Sequence, residues 1–301
     1  FPYSGCRLGH CHRCMAALVI PLVLCGVRSS HLCRSDCSLS DFTTLLRKGV
    51  RIILMLISII TITKDDGVLL RRNIDSVRRQ RLSRDVSVEH LIVNGGGPLC
   101  NLPKKNFCTV LEHEPQGIFN AINYGISKAS GDVIGVVHGN DFLADNYVLA
   151  RVADALGDFD IDFVYGDVNF VSHSKPGVVY RHYTSGDFVP SHLLKGFAPP
   201  HPSLFIRRNA MEKVGPYNEK FKVAADFGLF LRLFLGHQPF RGMHVSGTMV
   251  NMEHGGISTN LRIRIQGGTY EKYKALRDNG FNVSMLKIAS RIFFYIRHKK
   301  L

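Results

Sequence analysis

The chain has 301 residues, 45% of them hydrophobic, with 38 Lys and Arg against 24 Asp and Glu and a formal net charge of +14. That length allows one large α/β domain or two small ones, and the apolar fraction excludes an intrinsically disordered chain. The positive excess suits an anionic partner, yet no helix carries an Arg/Lys stripe and no nucleic-acid motif is present, so a phosphorylated ligand or an acidic membrane face is favoured over nucleic acid.

Six of the eight cysteines precede residue 38. Cys11-His12-Arg13-Cys14 resembles half of a zinc site, but the later pair, Cys33 and Cys37, lacks the spacing of a second half. Residues 15–26 are apolar but too short to span a bilayer, and no small-residue cleavage site follows. The chain opens at Phe1, and residues 1–50 show neither helical nor strand periodicity. The expected organisation is a poorly ordered N-terminal extension over 1–54, a main domain over 55–260, and a basic, helical segment over 261–301.

Organised pattern begins at Met55. Residues 55–63, MLISIITIT, form a continuous β-branched run, the mark of a parallel strand buried on both faces. Asp65-Asp66-Gly67 turns the chain into a helix with Leu69, Leu70, Ile74 and Val77 on one face. Residues 88–93 and 107–111 read as the second and third strands, the second closing in Asn94-Gly95-Gly96-Gly97. A helix is predicted over 118–129 and a fourth strand over 133–137, ending in the polar elbow His138-Gly139-Asn140-Asp141. Another helix follows over 147–156. This alternation predicts an α/β fold with a doubly wound, mostly parallel sheet and helices on both faces.

Beyond Asp158 the order loosens. Residues 163–171 and 177–180 read as extended, 199–207 as a short strand, and 225–235 as a helix. The C-terminal segment sets Lys287, Arg291, Arg297, Lys299 and Lys300 against Met285, Ile288, Ala289, Ile292 and Ile296 at helical spacing. Such a helix lies on an anionic bilayer surface or docks on its own domain with a solvated charged face.

Three of the first-half strands end in polar residues, and in a parallel sheet those ends share one edge. Asn94 offers an amide to a nucleotide base, with Asp65 or Asp66 nearby, and Asp141 offers a carboxylate to Mg²⁺ or Mn²⁺. Equally, Asp141 caps the following turn and Asn94 serves its own tight turn.

Several ordered blocks resemble the family 2 glycosyltransferases with the GT-A fold. They are the opening strand Ile57-Ser58-Ile59-Ile60-Thr61-Ile62-Thr63, the turn Val93-Asn94-Gly95-Gly96-Gly97, and the segment from Glu112 to Asp132 with Gly117-Ile118, Ala121, Asn123, Gly125-Ile126 and Ala129 in step. His201-Pro202-Ser203-Leu204-Phe205, Gly215-Pro216-Tyr217-Asn218-Glu219 and Lys222-Val223-Ala224-Ala225-Asp226-Phe227 continue the likeness, which covers about residues 55–260 and leans toward bacterial exopolysaccharide transferases of the colanic-acid type. The resemblance implies a metal-dependent, inverting transfer from a nucleotide-sugar, with a UDP-sugar favoured, to a glycan or polyprenyl-linked acceptor in surface polysaccharide synthesis. It places Asp226 as catalytic base, Asp141 as ligand to Mg²⁺ or Mn²⁺, and Thr63, Asp65, Asn94, Asn123 and Asn140 at the donor. The basic C-terminal helix and the positive charge favour a lipid-linked acceptor at the inner membrane face, and the expected location is cytoplasmic, peripheral on that face.

The chain departs from the pattern at Asn140 and Asn94, where Asp is common, and at Lys64, where Tyr or Asn is usual. A nucleotide-sugar-binding module without turnover is therefore the main alternative. A dinucleotide oxidoreductase is disfavoured because the Gly run follows the second strand and lacks the G-x-G-x-x-G spacing. A nucleotidyltransferase is disfavoured because no basic Gly-rich loop follows the first. His138, His201 and His254 read as loop residues ahead of ligands.

Overall fold

The computed structural model describes residues 55–64, 67–97, 99, 107–172, 177–253 and 268–290. The expected N-terminal extension, Asp65, Asp66, His254 and the basic end of the chain lie outside the described residues. The nine-residue apolar run forms strand β1, Met55–Thr63. Its two central polar side chains, Ser58 and Thr61, are buried but hydrogen-bonded, Ser58 to Glu89 and Thr61 to the Val137 carbonyl. That satisfaction lets hydroxyls sit mid-sheet without an unpaired buried group.

Strand β1 runs parallel to β2, Val86–Asn94, from Met55↔Val86 to Thr63↔Asn94, and parallel to β4, Val133–Val136, from Ile57↔Val133. Strand β3, Thr109–Glu112, extends β2 in the same direction. The order in this half is β3-β2-β1-β4. Chain direction of winding therefore reverses between β1 and β4, and the crevice above that reversal is where open α/β sheets bind ligands.

Helix α1, Val68–Arg78, follows β1, α2, Ile118–Lys128, precedes β4, and α3, Val148–Ala155, follows the two-residue strand β5, Phe142–Leu143. The far half of the sheet continues through β8, Phe205–Arg207, β6, Phe163–Val171, and β9, Gly242–Glu253, to β5, with β7, Val179–Tyr183, paired on β6. Successive β1 side chains feed opposite cores. Ile57 and Ile59 pack with Val77 of α1 and with α3, while Ile60 packs with α2 and with α4, Arg208–Val214, and α5, Ala225–Leu235. Helices therefore cover both faces, as the sequence predicts.

The second half departs from its sequence reading in several places, beginning with α4, which that reading lacks. Residues 199–207 divide into a 3₁₀ turn, His201–Ser203, and the three-residue β8, because Pro200 and Pro202 withhold two backbone donors. Strand β9 has no counterpart in the sequence prediction, since its polar residues and Gly247, at φ 90°, break the alternation. The C-terminal segment contributes α6, Gly268–Asp278, and a helical turn over 285–290. Ala275, Leu276 and Ile288 are fully buried in the α5 core, so α6 and this turn dock on the domain. No described helix is long and apolar enough to cross a membrane.

Candidate active site

The elbow after β4 is built by polar side chains beneath it. Thr61 donates to the Val137 carbonyl at 2.8 Å. The fully buried Asn73 of α1 donates to the carbonyls of His138 (3.0 Å) and Asp141 (2.8 Å). His90 lies behind them against Thr61 at 2.9 Å, and burial lowers its pKa to about 3, so the ring is neutral. Gly139 tucks against the end of β1, where a Cβ would stand 3.2 Å from the Ile62 carbonyl and from Thr63 Oγ1. The backbone amide of Gly139 donates to Ile62 at 3.1 Å. The elbow is thus held before any ligand arrives.

At its end sits Asp141, 5% exposed. Its Oδ1 accepts from the Glu253 amide at 3.3 Å. Burial pushes its pKa up to about 7, and the Glu253 carboxylate pushes the same way against that hydrogen bond. Glu253 pairs with Arg72 at 3.2 Å. Two carboxylates thus share a buried corner with one guanidinium beside them. That donor set fits a hard divalent cation, which takes oxygen ligands and would relieve the like-charge repulsion. Among the described residues no group of three His, Cys, Asp or Glu side chains is arranged to hold an ion.

The second centre lies at the start of α5. Asp226, half-buried in the first helical turn, accepts from the Phe227 amide at 2.7 Å. Burial raises its pKa, with Lys272 and His138 opposing. Glu271 of α6 fixes the approach to this helix by accepting from the amides of Lys222, Val223 and Ala224 at 2.8–2.9 Å. His138, the first elbow residue, is lowered to about 4 by burial and by His201, with Asp226 opposing. The His138 and His201 rings are 5.9 Å apart, and His201 Nε2 lies 2.7 Å from the Tyr217 hydroxyl. Burial holds His201 at about 4 and pushes the Tyr217 hydroxyl up, so both imidazoles and the phenol are neutral near pH 7. His138 thereby links the elbow that ends in Asp141 to Asp226.

The sequence-predicted residues fall into three groups. Thr63, Asn94, Asn140 and Asp141 stand along the strand-end edge, Asn140 exposed at the elbow tip. Asp65 lies outside the described residues. Asn123 faces the second centre, where its amide brackets the Tyr217 backbone at 2.9 and 3.0 Å and binds Glu219 at 2.7 Å. Asn94 donates both amide protons within the protein, to Gly97 at 3.0 Å and Glu112 at 2.8 Å, and accepts from Gly96 at 3.3 Å. Both asparagines therefore shape the crevice through protein contacts, Asn94 at the rim of an open cleft of about 400 Å³ with Glu112 and His113. Sequence reasoning missed Asn73, Tyr217, Glu253 and Glu271, and set His138 and His201 aside as loop residues. Asn73 left a signal, a polar residue inside the apolar stripe of α1.

The glycosyl transferase family 2 model matches residues 58–215. A PGL/p-HBAD biosynthesis glycosyltransferase of Mycobacterium bovis is 30% identical over 214 residues, 68% of this chain and 79% of that protein. Staphylococcus aureus TarS 1–349 in complex with UDP-GlcNAc superposes with a TM-score of 0.56 at 12% identity, covering 81% of this chain and 73% of that one. Against the longer TarS structure the chain spans 37% of that chain, with a TM-score of 0.50. A mannosyltransferase from Pyrobaculum calidifontis in complex with GDP-Man and Mn²⁺ gives 0.54 at 18% identity, covering 81% and 70%. At such identities the structural likeness establishes the fold, which is GT-A.

Proposed function

This chain belongs to glycosyl transferase family 2 and is a glycosyltransferase, and on that footing we propose an inverting transfer from a nucleotide-sugar to an acceptor hydroxyl, with Asp226 as the base. The observation that carries the proposal is the place of Asp226 in the first turn of α5, where burial raises its pKa, within electrostatic reach of His138, the first residue of the elbow that ends in Asp141. An acceptor hydroxyl attacking the anomeric carbon passes its proton to the Asp226 carboxylate as the new C–O bond forms and the bond to the diphosphate breaks. The raised pKa makes Asp226 a better proton acceptor than an exposed aspartate. Lys272 offsets that burial most, with the Phe227 amide next.

Asp141, with Glu253 beside it, would hold Mg²⁺ or Mn²⁺. When bound, such a cation supplies positive charge for the leaving diphosphate. The cleft beside Asn94 and Glu112 takes the nucleoside. A UDP-sugar is the favoured donor, in keeping with the UDP-GlcNAc complex of TarS. The acceptor is a glycan or lipid-linked glycan in surface polysaccharide synthesis. Exposed Met285 and Leu286, beside Lys287, offer a contact with an anionic membrane face.

A thermal-shift screen of UDP-, GDP- and dTDP-sugars with and without Mn²⁺ tests this reading. One donor should stabilise the protein only with metal, by about 2.7 kcal/mol at a hundredfold excess over Kd. That donor should also support transfer. Binding without transfer to any acceptor would make the chain the inactive nucleotide-sugar-binding module instead.

A further inference from the structure

A second cavity, of about 460 Å³, opens beside the elbow between α1 and the strands β5, β9 and β6. We propose that it is a saccharide-binding site separate from the donor crevice, one that engages a sugar unit of the glycan on which the enzyme acts. The proposal rests on the glycosyltransferase reading for the nature of the glycan, and on its own geometry for the site.

Three features build the cavity. The first is a break in β9. Gly166 pairs with Val245 and Asp167 with Thr248, so Ser246 and Gly247 are extra residues opposite one step of β6. Gly247 makes this bulge possible at φ 90°, and the bulge brings Ser246 and Thr248 into the cavity wall. Bulges of this kind re-aim side chains beside binding sites.

The second is an oriented row of side chains across the sheet. Phe142, Asn251, Asn169 and His182 are successive cross-strand neighbours on β5, β9, β6 and β7. His182 Nδ1 lies 2.8 Å from Asn169 Oδ1, and Asn169 Nδ2 donates to Asn251 Oδ1 at 3.1 Å. The acceptor oxygen of Asn251 is thereby engaged, which leaves its Nδ2 as the donor at the cavity. Among the described residues neither that Nδ2 nor the hydroxyls of Ser246 and Thr248 has a protein partner. An amide donor oriented by Asn169 and two hydroxyls beside it in the cavity wall are the groups that read sugar hydroxyls.

The third is the charge balance. Arg151 is paired with Asp145 at 3.0 Å, and Arg72, stacked 3.6 Å over the Phe142 ring, is paired with Glu253. The two cations that line the cavity are thus each matched by a carboxylate, so a neutral polyol suits the site better than a polyanion. The volume falls within the range of about 300–1,000 Å³ typical of small-ligand sites. Arg72 also touches both places, lining this cavity and holding the carboxylate next to Asp141, so a sugar bound here lies one side chain from the donor end.

The test is a saturation-transfer NMR titration of the methyl glycosides of glucose, galactose, mannose, rhamnose and N-acetylglucosamine against the whole chain and its Asn251→Ala and Asn169→Ala variants. At least one glycoside should bind the parent protein, and each variant should weaken it about five- to tenfold, the factor carried by one neutral hydrogen bond. Circular dichroism and the metal-dependent donor shift should stay at parent values in both variants. Absence of binding by all five glycosides, or equal binding to parent and both variants, overturns the proposal. A failed donor screen with an Asn251-dependent glycoside signal would overturn the catalytic reading and leave this site standing.

Discussion

The two centres of the crevice are built in opposite ways. The elbow carrying Asp141 rests on side chains buried in the parallel half of the sheet, Thr61 and Asn73 beneath its carbonyls and His90 behind them. The entrance to α5, carrying Asp226, hangs on Glu271, a single carboxylate from a helix nearly fifty residues later in the chain, and on the Tyr217 segment that Asn123 grips. The difference teaches which group needs which support. A carboxylate meant for a cation gains from a fixed corner where its charge is already uncomfortable. A base that must meet an incoming hydroxyl needs only a fixed direction, which three backbone amides on one side chain provide.

The largest expected effect breaks the second centre alone. Asp226→Asn should lower kcat by about two to four orders of magnitude while donor affinity, read by calorimetry, stays at the wild-type value. An unchanged kcat would remove Asp226 from the chemistry. Breaking the support of the first centre should do the reverse. Asn73→Leu strips the elbow carbonyls of their donor, at a cost of about 1–3 kcal/mol for the groups left unsatisfied. A urea melt should register that loss, and donor KM should rise more than kcat falls.

A finer comparison comes from Glu271. Replacing it with Ala should lower kcat about tenfold with little change in donor KM, because the approach to α5 loses its anchor. Glu271→Gln, which keeps an acceptor oxygen, should recover part of the rate. If both substitutions raised donor KM and spared kcat, the division between the centres would be wrong.

The smallest effect concerns pH. Folding raises the Asp141 pKa to about 7, so the folded state without metal holds a proton there that the unfolded chain releases near pH 4. The stability associated with this group is present below about pH 4 and is lost as pH rises through 7. Asp141→Asn should therefore match the parent at pH 4 and exceed it at pH 8 by about 1–3 kcal/mol, or a few degrees in Tm. Donor affinity in Mn²⁺ should fall for the parent below pH 7, as the carboxyl takes up a proton, and should be weak for the variant throughout.

Much of this architecture is legible in the sequence. The bounds of β1, β6 and α5 follow from uninterrupted apolar or helical runs, where burial on both faces leaves one reading of the pattern. Strand β9 was not legible, because its place beside β6 depends on a bulge and on polar pairs that exist only across the sheet. Likewise Asp141 and Asp226 stand in recognisable segments, whereas Glu271 matters through amides at 222–224 that no local pattern ties to it. His138 and His201 could be seen but not assigned, since their neutrality follows from burial that the loop sequence does not encode.

Paramagnetic broadening by Mn²⁺, recorded in the presence of UDP on protein with labelled histidine and phenylalanine, measures the distance between the centres without requiring turnover. The account predicts that the His138 ring and the Phe227 amide broaden together in the parent protein and that neither broadens in Asp141→Asn. Broadening that spares Phe227, or that survives the loss of the Asp141 carboxylate, would place the cation elsewhere and separate the two halves of the mechanism.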